Sequence, residues 1–224
     1  MNYSPLWISL KAAFIATGIT FILGTYAAYF TSKLRFFKGL VDGLFTLPLV
    51  LPPTVVGFFL LIILGKNSMI GRFLAGYDLS IVFTPTATII ASSIVAFPLM
   101  YRTARGAFEG LDSNMINVAR TLGLTEHEIF IKIMLPNSIP SLVAGTILSF
   151  ARALGEFGAT IMLAGNIPGK TQTMAVAVYS AVQAGNRELA YRWVMIMVAI
   201  SFVTILVMNL YESRNYKSAQ KGGV

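Results

Sequence analysis

The chain has 224 residues, of which 56% are hydrophobic and only 12% are charged, with a formal net charge of +8. This composition excludes an ordinary soluble domain and indicates one integral membrane domain over 1–224. The sequence contains no cysteine and a single histidine, His127, so it offers neither a thiolate nucleophile nor a cysteine–histidine metal site. We therefore expect no metal site in this chain.

Uncharged intervals along the chain predict membrane-spanning helices, since about twenty residues of helix cross the hydrocarbon core. The intervals are 12–32, 43–65, 79–101, 133–151 and 193–211. The first is too long for the apolar core of a signal peptide, and we expect it to remain as a span. The last begins at Trp193 and ends at Tyr211, and aromatic side chains at such ends anchor a helix at the membrane interface.

The second and third intervals carry residues that a plain membrane anchor would rarely contain. Pro52 and Pro53 precede Thr54, and two successive prolines free backbone carbonyls that neighbours or cavity water must satisfy. Ser92 and Ser93 lie in the third interval, where small hydroxylated residues favour contact between helices. For both features two interpretations stay open: they line a pathway, or they bring helices together.

The longest polar interval between apolar runs, 112–140, predicts a helix, a tight turn and a second helix. Asp112 is placed to cap the first helix, and Gly123 is placed to end it in the left-handed backbone conformation. Thr125 then opens the second helix, since a glutamate three residues later completes a capping box. We expect Pro136 to limit that helix. A capped polar unit in such an apolar protein indicates a surface that a partner binds.

The fourth interval leads into a charged pair, because Arg152 and Glu156 stand four residues apart. On one helix that spacing places both on the same face, while Gly158 and Ala159 would admit a neighbouring helix closely. In a span counted over 138–164, Arg152 would lie near mid-depth, where an ionised side chain is unfavourable. Two interpretations stay open: an ion pair that joins helices, or an arginine that accommodates an anion on its path.

The remaining segments and the distribution of cations predict the topology. Segment 171–186 is apolar but short, and we expect a re-entrant helix or an external helix; 212–224 predicts a short basic tail. Of 17 Lys and Arg residues, ten lie in 33–42, in 102–132 and in the tail. Because cytoplasmic loops are enriched in these residues, we expect an external N-terminus, five spans and a cytoplasmic C-terminus.

The polar interval also carries the pattern of a known family. The pattern-bearing residues are Asn117, Val118, Ala119, Gly123, Ile133, Leu135 and Pro136. Their spacing resembles the cytoplasmic loop of type I ABC importer permeases, in which Glu-Ala-Ala opens the pattern. Asn117 and Val118 depart from it, so the role of that carboxylate does not carry over. The stretches 47–57, 96–102 and 150–173 look like the molybdate permease branch, and sulfate permeases share a segment similar to the one around Arg152.

The resemblance implies an all-α fold of the type I importer permeases, working as a homodimer in the cytoplasmic membrane of a prokaryote. It implies a cytoplasmic ABC ATPase dimer, which binds ATP and Mg and receives a coupling helix at 112–128, and an external molybdate-binding protein. No catalytic residue and no cofactor are then expected in this chain, because ATP hydrolysis belongs to the partner. The implied coupling residues are Asn117, Ala119, Arg120, Gly123, Ile133, Leu135 and Pro136. The candidates for lining the pathway or pairing helices are Pro52, Pro53, Thr54, Ser92, Ser93, Arg152 and Glu156.

Three alternatives compete with this interpretation. Tungstate or sulfate could be the transported anion. An ion-coupled secondary transporter would need intramembrane carboxylates, and Glu156, already beside Arg152, is the one candidate in the sequence. The helix–turn–helix pattern around Gly123 could suggest DNA binding, but the flanking spans leave no third soluble helix for it to pack on. We therefore expect no nucleic-acid partner.

Overall fold

The computed structural model describes residues 3–34 and 36–221, with side chains described as far as Tyr211. Within these residues the chain is helical, without a strand. The helices are α1 (Ser4–Lys33), α2 (Lys38–Val50), α3 (Pro53–Leu64), α4 (Met69–Ala75), α5 (Pro85–Glu109), α6 (Ser113–Thr121), α7 (Glu126–Ile129), a π-helical turn (Phe130–Met134), α8 (Leu135–Leu154), α9 (Gly158–Leu163), α10 (Met174–Gln183) and α11 (Arg187–Lys221). The predicted all-α fold is confirmed, and the side chains of the predicted basic tail, 212–224, lie outside the described residues.

Four helices are long and apolar enough to cross a membrane, and the bent pair of α2 and α3 adds a fifth crossing if it counts as one span. The four are α1, α5, the helix over 126–154, and α11 over 187–211. The expectation of about five spans is thus confirmed, with shifted boundaries. The third, for example, runs from Pro85 to Glu109 and not over 79–101. α5 begins at Pro85 because proline suits the first turn of a helix. It ends later than predicted because its last turns include charged residues beyond the uncharged interval.

The second predicted span, 43–65, is broken into two helices at its successive prolines. α2 ends at Val50, and α3 begins at Pro53 in a direction that differs by 112°. Pro52 and Pro53 cannot donate the backbone hydrogen bonds that would continue α2, and the residue before a proline is pushed towards extended conformations. Leu51 and Pro52 are accordingly extended, and Pro53 opens the new helix.

Small residues let α1, α5 and α8 approach one another closely. A Cβ added to Gly24 of α1 would lie 3.0 Å from the Met100 side chain of α5. A Cβ added to Gly145 of α8 would lie 3.0 Å from the Thr103 side chain, also on α5. α5 is therefore the central helix. In lipid there is no hydrophobic driving force between helices, so close packing of their backbones holds them together instead.

The fourth predicted span is shorter than 138–164, since α8 ends at Leu154 and the chain turns before α9 begins at Gly158. Arg152 therefore lies two residues from the end of this helix, and not near the middle of one continuous helix over 138–164. The prediction that Pro136 limits the preceding helix is wrong. The π-helical turn and α8 continue through it, because the wider turn accommodates a residue without a backbone donor.

The segment predicted over 171–186 contains α10, a helix of ten residues that packs on α1 and α11. The backbone N–H of Met174 donates to Ser9 Oγ at 2.8 Å, so α10 lies at the end of the bundle where α1 begins. Trp193 is 2% exposed and packs with Ala13 and Met174. The prediction that Trp193 anchors the membrane interface is therefore wrong, because α1 and α10 cover it.

Candidate functional site

The predicted helix–turn–helix forms a compact unit, here called the coupling segment (112–128). Asp112 caps α6, its carboxylate accepting from the backbone N–H of Asn114 at 2.8 Å. Gly123 follows the end of α6 with φ of +83°, a left-handed conformation that glycine adopts without steric strain. Its N–H donates to the Arg120 carbonyl, and the N–H of the next residue donates to Ala119, which together form a Schellman motif. The predicted caps and the predicted turn are confirmed.

The second helix of the coupling segment is fixed by the capping box that the sequence predicts. The Thr125 hydroxyl accepts from the Glu128 backbone N–H at 3.3 Å, while the Glu128 carboxylate accepts from the Thr125 backbone N–H at 3.0 Å. Lys132 contacts the same carboxylate at 2.9 Å. Because two orphan backbone donors are satisfied reciprocally, this short helix has a defined starting point.

An ion pair bridges the two helices of the coupling segment. Arg120 Nε donates to Glu126 Oε1 at 2.7 Å, and a second guanidinium nitrogen donates to Asn117 Oδ1 at 3.2 Å. The Arg120 guanidinium, followed by the Lys33 ammonium, lowers the pKa of Glu126 to about 2 from its ordinary value of 4.5. The same hydrogen bond raises the pKa of Arg120. Both charges are thus held at neutral pH, although the pair is half-exposed and contributes little to stability by itself.

The coupling segment has one apolar side towards the bundle and another towards solvent. Ala119 is 4% exposed and packs with Ile116 and Leu124 into the apolar cluster that contains Phe108 and Phe130. Towards solvent, Val118 is 58% and Leu122 is 74% exposed. Two exposed aliphatic side chains on a polar unit are the kind of surface that a protein partner covers.

α1 holds the coupling segment through polar contacts at its last turn. The Lys33 ammonium lies 2.7 Å from Glu126 Oε2 and also donates to the Tyr29 hydroxyl. That hydroxyl in turn donates to the Glu126 backbone carbonyl at 2.8 Å. The Tyr29 ring packs on the Phe130 ring with centroids 4.1 Å apart, and Phe108 of α5 meets Phe130 from another side at 5.8 Å.

The π-helical turn connects the coupling segment to α8. Leu135 donates its backbone N–H to the Phe130 carbonyl, five residues earlier. Asn137 satisfies the Ile133 carbonyl with its side-chain amide at 2.7 Å. Ile133 and Leu135 pack against the apolar cluster around Phe130, while Pro136 is exposed. Of the predicted coupling residues, Asn117, Arg120, Gly123 and Pro136 are therefore exposed, whereas Ala119, Ile133 and Leu135 face the bundle.

Three further ion pairs lie at the same end of the bundle. Lys38 at the start of α2 contacts Glu109 at the end of α5 at 3.0 Å. Arg105 contacts the same carboxylate at 2.7 Å and also Asp42 of α2. These contacts bring the two basic intervals, 33–42 and 102–132, to one side, as the predicted topology requires.

Arg152 and Glu156 form the predicted ion pair, with Arg152 Nη1 at 2.7 Å from Glu156 Oε2. The Glu156 side chain is 1% exposed and that of Arg152 is 29% exposed. The other carboxylate oxygen, Oε1, accepts from the Ala159 backbone N–H at 2.7 Å and so caps α9. Oε1 is hydrogen-bonded, whereas the buried Oε2 has the ion contact with Arg152 and no hydrogen bond, and the pair fixes the turn between α8 and α9.

The pair lies beside the proline-rich break between α2 and α3. A Cβ added to Gly158 would lie 2.9 Å from Pro53 Cβ and 3.0 Å from the Thr54 backbone nitrogen. A Cβ added to Gly57 would lie 2.7 Å from Ala159 Cα. The structure thus brings the candidates Pro53 and Thr54 next to the turn that Glu156 caps. This close contact between α3 and α9 confirms that Gly158 and Ala159 admit a neighbouring helix.

Of the remaining pathway candidates, Pro52 borders this contact and the two serines lie apart from it. Pro52 is exposed at the break. Ser92 and Ser93 are buried within α5, where the Ser93 hydroxyl donates to the Ile89 carbonyl of its own helix at 2.7 Å. Ser93 also borders a cavity of about 200 Å³ that Pro48 and Thr20 help to line. Burial and the bond within the helix favour helix packing for the two serines.

Sequence reasoning missed the contacts of Tyr29, Lys33 and Glu126. The Arg120–Glu126 pair spans a glycine turn, and that spacing alone could have indicated it. Tyr29 and Glu126 lie 97 residues apart, and no local pattern joins them. Within the described residues, no group of three His, Asp or Glu side chains is arranged to hold a metal ion.

Comparison with known proteins agrees with this architecture. The family model described as "Binding-protein-dependent transport system inner membrane component" matches residues 20–215. YvgM of Bacillus subtilis, provisionally named a molybdenum transport system permease, is 46% identical over 91% of this chain and 90% of its own length. The molybdenum transport system permease ModB of Haemophilus influenzae is 37% identical over 100% of this chain and 99% of its own length.

More distant relatives include sulfate permeases and a solved transporter. The sulfate transport system permease CysT of Salmonella typhimurium is 33% identical over 92% of this chain and 75% of its own length. A structure of the methionine ABC transporter MetNI in inward-facing conformations superposes with a TM-score of 0.73 at 15% identity, covering 93% of this chain and 94% of that chain. This likeness supports the fold, and the family match with the relatives decides the assignment: the chain belongs to the binding-protein-dependent transport system inner membrane components.

Proposed function

We propose that this chain is the permease subunit of an ATP-driven molybdate importer, in which two copies form the pathway. Membership of the family makes it a membrane component of a transport system, with ATP hydrolysis on a partner ATPase. Molybdate is preferred over sulfate because relatives named for molybdenum transport are 37% and 46% identical over nearly the whole chain. The relative named for sulfate is 33% identical and is covered over 75% of its length.

The observation that carries the proposal is the exposed side of the coupling segment. Val118 and Leu122 stand outward on a unit that is capped at Asp112, turned at Gly123 and paired through Arg120. A rigid unit of this kind can transmit the closure of an ATPase dimer to the spans, because its internal hydrogen bonds keep it from deforming when the ATPase pushes on it. Ala119, Ile133 and Leu135 then serve by seating the segment on the bundle, and the exposed coupling residues by contacting the ATPase.

The contact between α3 and α9 is a second part of the proposal. The broken α2–α3 pair and the capped turn at Glu156 are irregular backbone, and within a membrane such backbone is tolerated where it is buried in protein or lines a cavity. We propose that a molybdate-binding protein delivers the anion to the outer mouth, and that rearrangement at this contact opens the path. The Arg152–Glu156 pair then acts as a helix-joining pair, since one Glu156 oxygen contacts Arg152 and the other caps α9.

The proposal is tested by ATP hydrolysis in liposomes that contain this chain, its ATPase and its binding protein. Molybdate, tungstate, sulfate and no anion are compared. We expect loaded binding protein to stimulate hydrolysis with molybdate most strongly and sulfate least. Greater stimulation by sulfate would transfer the chain to the sulfate-type permeases. Absence of any stimulation, together with uptake by the chain alone driven by an ion gradient, would replace the proposal with a secondary transporter.

A further inference from the structure

A single residue, Glu126, joins the coupling segment both to α1 and to its own first helix. Its carboxylate accepts from Arg120 of α6 at 2.7 Å and contacts Lys33 of α1 at 2.7 Å. Its backbone carbonyl accepts from the Tyr29 hydroxyl of α1 at 2.8 Å. In the described part of the chain, the hydrogen bonds and ion pairs that leave the coupling segment for another span all end on Glu126.

We propose that Glu126 is the joint through which the coupling segment moves α1, with Tyr29 and Lys33 as positioning residues on that helix. This inference rests on the proposed function. It assigns α1 a part in transmitting ATPase closure, in addition to the covalent route through the π-helical turn into α8. Apolar contacts around Phe130 can slide, whereas a carboxylate fixed by two cations and a carbonyl fixed by a hydroxyl set a defined position.

α1 is suited to carry a movement from one end of the bundle to the other. Its 30 residues make a helix about 45 Å long. Gly24 places it in close contact with Met100 of α5, so the two helices move as one body. Near its other end the buried Ser9 hydroxyl accepts from the Met174 backbone N–H at 2.8 Å, which ties α1 to α10. A displacement at Lys33 therefore reaches α10 on the opposite side.

The energetics separate this role from a structural one. The Lys33 and Glu126 side chains are 36% and 48% exposed, and ion pairs of such exposure contribute little to folding. Removing the link should therefore leave the complex assembled. What should change is the number of anions imported per ATP hydrolysed, because the ATPase can then close without moving α1 fully.

The experiment uses the complete complex in liposomes and measures molybdate uptake and ATP hydrolysis in the same vesicles. The variants are Glu126→Gln, Lys33→Met and the two combined. Lys132→Met is the matched control, since it breaks the Lys132–Glu128 pair, whose side chains are 62% and 39% exposed and which stays within one helical stretch. Tyr29→Phe adds a variant that removes the hydroxyl and keeps the ring that packs on Phe130.

We expect each single variant at Glu126 or Lys33 to lower the anion-to-ATP ratio about threefold. The combined variant should be no worse than the more severe single one, because both break the same contact. Lys132→Met should keep the wild-type ratio. A wild-type ratio in Glu126→Gln, multiplied effects in the combined variant, or an equal loss in Lys132→Met would each overturn the inference. Failure of the proposed function looks different, since the wild-type complex would then show no stimulation by loaded binding protein.

Discussion

Removing Arg152 should damage the protein more than neutralising its partner does. In Arg152→Ala the Glu156 carboxylate, whose side chain is 1% exposed, loses its cation and remains buried. In Glu156→Gln the amide oxygen can still accept from the Ala159 N–H and cap α9, while the uncompensated charge is left on an arginine that is 29% exposed. The two halves of one ion pair should therefore differ in their effect on stability.

The magnitudes follow from burial. Breaking a buried ion pair from one side destabilises by about 3–5 kcal/mol, and the partial exposure of Arg152 places Arg152→Ala near the lower limit, at about 3 kcal/mol. For a chain of this length that lowers the Tm by about 6–12 °C. Glu156→Gln should destabilise by about 1–2 kcal/mol, since it loses one charge-assisted bond and keeps the cap. Combining Arg152→Met with Glu156→Gln should recover most of the loss, because no uncompensated charge then remains.

The assay is thermal unfolding of the purified permease–ATPase complex, with molybdate uptake measured on the same preparations. The expected order of Tm is wild type, then Glu156→Gln, then Arg152→Ala. An Arg152→Ala complex that melts within about 2 °C of wild type and yet fails to import molybdate would refute the reasoning. It would show that the arginine serves the anion and not the ion pair.

Three other perturbations test separate parts of the structure. Gly57→Ala should destabilise the folded protein by about 1–3 kcal/mol, because its Cβ would lie 2.7 Å from Ala159 Cα and α3 would have to move away. Gly18→Ala is the control, since nothing lies within 4 Å of its added Cβ, and it should leave the Tm unchanged or raised. Gly123→Asp should uncouple hydrolysis from uptake, since φ of +83° strains a residue with a Cβ even though the space around it is open; coupled uptake in this variant would contradict the role of the turn. The pKa of Glu126 is lowered to about 2 from 4.5, so its ion pairs stabilise the folded protein above about pH 4.5 and lose that effect as the pH falls towards 2. The difference in Tm between wild type and Glu126→Gln should therefore be constant from neutral pH down to about 5 and should shrink below that; a difference that grows on acidification would be inconsistent with the depressed pKa.

Local features of this chain could be predicted from sequence because their partners are neighbours in the sequence. The caps at Asp112 and Thr125 and the turn at Gly123 involve residues within three or four positions. The pair of Arg152 and Glu156 is likewise local, although the end of α8 between them was not expected. Hydropathy gave the approximate number of spans because the bilayer sets one length for all of them.

The features that could not be predicted depend on partners distant in sequence or on how a helix adapts to proline. Prolines at 52–53 turn the chain by 112°, whereas Pro136 is accommodated within a continuous helix. A proline in the sequence does not by itself decide between these outcomes, because the number of prolines and their surroundings matter too. Trp193 ends an apolar interval as an anchor would, yet α1 and α10 bury it. The link from Lys33 to Glu126 is set by how α1 packs, which no local pattern records.

The π-helical turn at Phe130–Met134 has a consequence for the rotational phase of α8. A π-turn contains one residue more than an α-turn, and one residue corresponds to about 100° of rotation around a helix axis. The wider turn therefore takes up one residue between Gly123 and α8 without the change of direction that the same residue would cause in a regular α-helix. An insertion or deletion between Gly123 and α8 that no such turn takes up would rotate Arg152 and every other α8 side chain about the helix axis. The number of residues between the coupling segment and α8 is therefore constrained together with the shape of this turn.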